Sequence, residues 1–232
     1  MAVGTIQSSS CPVWFVSNQR NFAIPMSEKG NVFIVSAPSG SGKSTLVANL
    51  LEKVPGLTFS VSYTTRKPRG NEKNGKEYFF VSELAFEKMI QDDQFLEYAR
   101  VFGYYYGTAK AAMQQAFSDG KDLLLDIDTE GAAQVRNKLP QAVSIFIMPP
   151  SYEALKSRLE KRKQDSQETI LKRLHWASQK EIHRYKSYDY VVINEDLSQS
   201  FELMRSIIYA ERCRINHMTH RVEFIIKSFG GI

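Results

Sequence analysis

Ser36-Ala37-Pro38-Ser39-Gly40-Ser41-Gly42-Lys43-Ser44-Thr45 is the stretch whose residue types and spacing speak most directly of chemistry. It follows the apolar run Val32-Phe33-Ile34-Val35 and leads at once into the helical pattern Leu46-Val47-Ala48-Asn49-Leu50-Leu51. That is the strand-to-helix setting of a Walker A phosphate loop. Gly40 and Gly42 let backbone N–H groups converge on phosphate oxygens without Cβ obstruction, and the helix N-terminus adds partial positive charge. Lys43 is placed to reach the β- and γ-phosphates of a nucleoside triphosphate, the Ser44 hydroxyl to ligate Mg²⁺, and Thr45 to touch a phosphate. Ala37 stands where the consensus of such loops has its first glycine.

Carboxylates and arginines form a second set. Leu123-Leu124-Leu125-Asp126-Ile127-Asp128 puts two carboxylates at the C-terminal end of an apolar strand, the edge that faces metal and nucleotide in a phosphate-loop fold. The competing reading is that they cap the next helix; Thr129 is available for that cap, which favours the nucleotide-facing role. Phe59-Ser60-Val61-Ser62-Tyr63-Thr64-Thr65-Arg66-Lys67-Pro68-Arg69 sets two arginines three residues apart around a proline-stiffened turn. Guanidinium forks at that spacing suit a fixed, dianionic phosphate. An exposed basic loop is the plainer alternative. Against it stands the company that follows, Tyr78 after Asn74-Gly75-Lys76-Glu77, then Phe95-Leu96-Glu97, then Tyr105-Tyr106-Gly107-Thr108.

Around these residues, short β-rich runs alternate with helical stretches. The patterns predict strands over 31–36, 58–62, 121–127, 143–148 and 188–193, and helices over 43–53, 130–138, 152–161, 167–185 and 198–216. Strands separated by helices imply an α/β fold, with a parallel sheet covered on both faces. Between residues 63 and 106 the runs shorten, at 77–81 and 95–102, and turn-rich segments interrupt them, as expected of an inserted lobe. After residue 217, Val222, Phe224 and Ile226 alternate, which predicts an edge strand or a segment packed on the core. Residues 1–29 contain one arginine, no acid before Glu28 and several serines. They read as a disordered or alternative-start extension, with Met26 directly before Ser27-Glu28-Lys29-Gly30 and the first strand, in preference to an organellar presequence.

Composition bounds the rest. A chain of 232 residues with 43% apolar and 24% charged residues is long enough for one or two domains with a sizeable core, which excludes wholesale disorder. No apolar run approaches the 18 or so residues of a membrane-crossing helix. Cys11 and Cys213 cannot form a disulfide framework and lack zinc-ligand spacing, so a reducing, cytoplasmic setting is expected. The net charge of +5 raises the possibility of a nucleic-acid partner, yet residues 153–184 alone hold nine Lys or Arg against five acids, so the excess sits in one segment. His217 and His220 lack acidic or cysteine partners and do not read as a metal site.

Taken in order, Ser-x-Ser-x-Thr-Thr-Arg-x-Pro-Arg, Asn-Gly-x-x-Tyr, Phe-Leu-Glu, Tyr-Tyr-Gly-Thr and Leu-Asp-Ile-Asp resemble guanylate kinase, over residues 30 to 217. The resemblance implies a three-layer P-loop NTPase fold made of a core (30–62, 107–150 and 185–217), a GMP-binding lobe (63–106), a helical lid (151–184) and a C-terminal tail (218–232). It implies the reaction ATP + GMP ⇌ ADP + GDP with Mg²⁺, with dGMP as a second acceptor. By motif, Arg66, Arg69, Tyr78 and Tyr106 would hold the GMP phosphate, and Ser62, Glu97 and Thr108 would read guanine. Asp126 and Asp128 would lie near the acceptor and the metal. The ATP side would comprise Ala37, Pro38, Ser39, Gly40, Ser41, Gly42, Lys43, Ser44, Thr45 and Asn194, although a loop-forming role for Asn194 is equally open. The lid arginines match Arg158, Arg162 and Arg173, which with Lys43 make the catalytic set and account for the basic segment. The plainer reading of Arg158 and Arg162 is a solvated helix face beside Glu160. Base chemistry agrees independently: guanine offers N1–H and an exocyclic NH₂ as adjacent donors, which one carboxylate accepts as a pair, whereas adenine offers an acceptor at N1.

Two departures from the family pattern stand out. Lys163 replaces the glycine usual after the second lid arginine, and the usual Pro-Arg-x-Gly-Glu reads Pro68-Arg69-Gly70-Asn71-Glu72. The main rival is a non-catalytic module of the same fold that binds a phosphorylated peptide. Retention of Gly42, Lys43, Ser44 and the phosphate arginines argues against it. A related phosphotransferase for another base conflicts with Glu97 and Ser62, and a nucleic-acid binder leaves the guanine-reading set unexplained. The partners expected are therefore ATP and GMP or dGMP, with no specific nucleic acid and no membrane, and with the oligomeric state open.

Overall fold

The protein was analysed as a computed structural model, which describes residues 30–101, 103–161 and 166–230. Strand β1 (Val32–Ser36) enters the phosphate loop and helix α1 (Lys43–Lys53) leaves it, followed by β2 (Leu57–Phe59). The chain then builds the lobe from β3 (Tyr63–Thr64), β4 (Phe79–Phe80), α2 (Glu83–Gln91), β5 (Phe95–Val101) and β6 (Tyr104–Ala109). It returns through α3 (Lys110–Ser118), β7 (Asp122–Asp126), α4 (Thr129–Lys138) and β8 (Val143–Met148). Helices α5 (Tyr152–Lys161) and α6 (Gln167–Trp176) make up the segment expected to act as a lid, and β9 (Tyr190–Ile193), α7 (Leu197–Arg212) and α8 (Ile215–Ser228) follow.

Five parallel strands in the order β2-β7-β1-β8-β9 make the core sheet. The runs in β1 and β7 are continuously apolar because both faces are covered. Phe33 and Val35 of β1 pack with Leu46 and Leu50 of α1 and Met204 and Ile208 of α7, while Val32 and Ile34 point the other way, toward Ala116 of α3 and Val135 of α4. Alternate side chains of one strand thus serve opposite layers. β1 lies centrally, with Val35 beside Asp126, so the phosphate loop and the β7 carboxylates emerge side by side at the C-terminal sheet edge. That edge is where open α/β sheets bind ligands.

The lobe carries a separate sheet, β4-β3-β6-β5, in which β6 runs antiparallel to both neighbours. An aromatic stack holds it together: Phe86 of α2 lies 4.4 Å from the Phe95 ring and 5.1 Å from that of Tyr105. The lid has its own small core of Leu155, Leu159, Ile170, Leu174 and Ala177.

Several segments differ from expectation. The single helix expected over 167–185 is α6 followed by a π-helical turn, Ala177–Glu181, and a 3₁₀ segment, Ile182–Ser187. The strand expected over 58–62 ends at Phe59, because the chain crosses there into the lobe. The helix expected over 198–216 stops at Arg212, and α8 starts at Ile215 and crosses the boundary drawn at 217. The tail is therefore a helix and not the alternating strand anticipated from Val222, Phe224 and Ile226. Its apolar residues also recur at 215, 218, 222, 225 and 229, a three-four spacing that outweighs a three-residue alternation. Phe224 and Ile226 are 72% and 51% exposed, so this segment does not pack on the core either.

Candidate active site

The loop between β1 and α1 is bound from several sides. Gly40 and Gly42 take positive φ, 97° and 91°, and a Cβ on Gly42 would meet the Asn194 amide nitrogen at 2.4 Å. Asn194 is buried and donates from Nδ2 to the Ser41 carbonyl at 2.7 Å. Its side chain thus braces the loop from below, a role that neither sequence reading anticipated. Arg158 lies across the same loop, donating from Nη2 to the Asn194 carbonyl at 2.8 Å and from Nη1 to the Ser41 carbonyl at 3.5 Å, while Arg173 Nη1 donates to Ser39 Oγ at 3.3 Å. Arg158 is half-buried on the phosphate loop, which replaces the solvated-face alternative. Arg162 and Lys163 lie outside the described residues.

Lys43 forms an ion pair with Asp126 and points its Nζ at the Ile127 carbonyl, 3.5 Å away. Asp128, and not Thr129, caps α4: its Oδ1 accepts from the N–H groups of Glu130 at 3.0 Å and Gly131 at 2.7 Å. Thr129 is the first residue inside α4, one position past the cap, which removes it from the capping role expected from sequence. Asp128 therefore caps the helix and lines the cleft at once.

That cleft, about 200 Å³, is lined by Ser62, Tyr78, Glu97, Ala99, Val101, Tyr106, Asp126, Ile127 and Asp128. Glu97 reaches it through an irregularity in the β5–β6 ladder: Phe95 pairs with Ala109, yet Glu97 pairs with Thr108, so β5 advances two residues while β6 advances one. Such bulges re-aim side chains beside functional sites. The Glu97 carboxylate accepts from the Thr108 hydroxyl at 2.6 Å and is 5% exposed. Burial pushes it up to about 7, with Asp128 adding to the effect and the Thr108 hydrogen bond opposing it.

At the other end of the cleft, Arg66 is held from three directions. Its guanidinium donates to Glu72 twice, Nη1 to Oε2 and Nη2 to Oε1, each at 2.9 Å, and lies under the rings of Tyr78 (5.4 Å) and Phe80 (5.8 Å). Its backbone N–H donates to the Thr64 hydroxyl at 3.2 Å. Glu72 Oε2 also accepts the Arg69 backbone N–H at 2.8 Å, which fixes the turn while the Arg69 side chain remains exposed. The Arg66 bond holds Glu72 below its ordinary range, and Glu72 in turn raises Arg66. Tyr78 and Tyr106 stand edge to face, 5.9 Å apart.

The oxygen donors on the phosphate side suit Mg²⁺ bound together with a nucleotide. Ser41 Oγ is buried with no partner among the described residues, and Ser44 is exposed next to Lys43, which pairs with Asp126. Among the described residues no cluster of three His, Cys, Asp or Glu could hold a metal by itself.

A family model described as guanylate kinase matches residues 29–211. The chain belongs to the guanylate kinase family. As a member it is an ATP:GMP phosphotransferase. A guanylate kinase of Koribacter versatilis is 52% identical over 188 residues, covering 80% of each chain, and that of Escherichia coli strain K12 is 46% identical over 200 residues, covering 85% of this chain and 96% of the relative. Among solved structures, the guanylate kinase of Anaplasma phagocytophilum matches with a TM-score of 0.68 at 34% identity, over 83% of this chain and 91% of that one.

Two residues that bear on the candidate site of this guanylate kinase carry no functional mark in the sequence. Glu72 was noted only as part of a shifted motif; a carboxylate three and six residues after two arginines was the available signal. Glu181 sits on the π-helical turn, where burial pushes it up to about 7, Lys43 opposes this and Asp128 adds to it. No local pattern marks Glu181, because a π turn that aims it toward Lys43 is invisible in composition.

Proposed function

We propose that this chain transfers the γ-phosphoryl group of MgATP to the phosphate of GMP, and of dGMP, in purine nucleotide metabolism. The observation that carries this reading is the cleft that brings Glu97, bonded to Thr108, together with the β7 carboxylates Asp126 and Asp128, the first of which pairs with Lys43 of the phosphate loop. The loop amides, Lys43 and Thr45 bind the ATP phosphates, and the Ser44 hydroxyl holds Mg²⁺. The metal supplies charge neutralisation on the β- and γ-phosphates. Arg66, Arg69, Tyr78 and Tyr106 hold the acceptor phosphate, Arg66 keeping its place through Glu72. Glu97, Thr108 and Ser62 read the base.

The acceptor phosphate has a second pKa of about 6, so it is ionised near neutrality and needs no strong general base. Positioning and cationic stabilisation carry the rate. Arg158 and Arg173 already lie on the phosphate loop, where charge spreads as the phosphoryl group moves, and we assign Arg162 the same role from its motif. Lys43 must exchange its Asp126 partner for ATP oxygens. No helix among the described residues is long and apolar enough to cross a membrane. The two cysteines, which build no disulfide framework, suit a reducing, cytoplasmic setting.

Lys43→Ala tests the assignment. ADP formation from MgATP and GMP is expected to fall by about 10³-fold or more, the scale of losing one electrostatic transition-state contact, with the fold and GMP affinity retained. A folded Lys43→Ala protein with wild-type turnover overturns it.

A further inference from the structure

Gly131 is the third residue of α4, a position where alanine would be the better helix former. Neither a turn nor a left-handed backbone demands glycine there. A Cβ placed on it would meet Glu97 Oε2 at 2.7 Å, Glu97 Cδ at 3.2 Å and Asp128 Oδ1 at 3.4 Å. The space that the glycine leaves empty is thus filled by the carboxylate of the base-reading residue.

The helix is not free to back away from that carboxylate. Gln134 clasps the backbone of Tyr98 on β5 from both sides, accepting its N–H at 3.2 Å and donating to its carbonyl at 2.9 Å, and Lys138 Nζ donates to the Phe95 carbonyl at 3.1 Å. These three bonds tie α4 to the strand that carries Glu97, on either side of it. Gly131 N–H is itself held by Asp128 Oδ1. With the backbones latched, the movable partner is the far end of the Glu97 side chain, whose other oxygen is engaged by Thr108.

We propose that Gly131 is a specificity-determining position, whose missing side chain sets where the Glu97 carboxylate lies and so allows it to accept the paired donors of a 2-aminopurine-6-one base. The proposal rests on the reading of Glu97 as the guanine acceptor. Gly131 does not touch the substrate; it positions the residue that does. A methyl group there is accommodated by rotation of Glu97 out of the base-reading position, so the fold survives while recognition fails.

The test compares the wild type, Gly131→Ala and Glu97→Gln with GMP and with IMP, which keeps N1–H and lacks the 2-amino group. In Gly131→Ala, kcat/KM for GMP is expected to fall about tenfold or more, chiefly through KM for GMP, with a smaller fall for IMP, so that the GMP:IMP preference narrows. KM for ATP and thermal stability are expected to stay at wild-type values or, for stability, to rise. If Gly131→Ala keeps the wild-type GMP:IMP ratio while Glu97→Gln collapses it, the role of Gly131 is overturned and the guanine reading stands. A Gly131→Ala protein that fails to fold, or that loses ATP, GMP and IMP alike, also overturns it, since the displacement is assigned to one side chain. If Glu97→Gln leaves the ratio unchanged, the guanine reading itself falls, and this proposal with it.

Discussion

Glu97 must be ionised to accept two donors from a base, yet it sits 95% out of solvent beside Asp128. Its folded-state pKa, pushed up to about 7 from 4.5, lies above its unfolded value. The folded protein therefore binds more protons than the unfolded chain between those values, and this group withdraws stability as pH rises through that window. GMP binding repays ionisation through its two N–H donors, so KM for GMP is expected to rise about fourfold as pH falls from ~8 to ~6.5, the change in ionised fraction for a pKa near 7. Glu97→Gln is expected to flatten that profile, and a wild-type KM independent of pH over this range would contradict the assignment. The placement of Glu97, Arg66 and Arg158 at the cleft and the phosphate loop was legible in the sequence because carboxylates and guanidinium groups at such spacing mark polar chemistry by type alone. Glu72, Gly131 and Glu181 were not, because their roles arise only through space: a carboxylate folded back onto Arg66, an absent Cβ opposite Glu97, a turn widened by one residue.

At the scale of elements the lid stands apart, with its own cluster built on Leu155, Leu159, Ile170 and Leu174. Leu174 is 1% exposed, and its truncation to alanine removes about 2–5 kcal/mol of packing. Because the cluster is separate from the two that flank the sheet, the loss is expected to fall on local opening of α5 and α6. Amide exchange of Leu174→Ala should rise in residues 152–161 and 167–176 and stay unchanged in β1, β7 and β8, with kcat reduced and GMP affinity kept. Exchange that rises equally across the sheet would contradict a separate lid. β8 ends and α5 begins where expected because Pro149-Pro150 breaks the periodic pattern between them. Helices α2 and α3 escaped notice, since each is nine residues long and buries one side chain, Phe86 and Ala116 respectively, too little to register as a period. The tail misled for the opposite reason: three alternating apolar residues formed part of a longer helical stripe.

Over the whole molecule, the strand order places the phosphate loop beside the β7 carboxylates, and the crossover after β2 hangs a second sheet over the same edge. Tyr78, Glu97 and Tyr106 of the lobe and Asp126 and Asp128 of the core thus line one cleft, and Arg158 lies across the neighbouring phosphate loop. The parallel core was legible because strand and helix alternate. The lobe's four-stranded arrangement was not, since β3 and β4 are two residues each and exist only through pairing. Under the proposed roles, such a layout assigns base identity to the Glu97–Thr108 pair and phosphate transfer to the core. The measurement that tests this most directly is ADP formation from MgATP with GMP, dGMP, AMP, UMP and CMP as separate acceptors. Transfer is expected with GMP and dGMP, with kcat/KM for AMP lower by about 10²-fold or more, because its N1 opposes the Glu97 carboxylate with an acceptor. Comparable turnover of AMP and GMP would contradict the account.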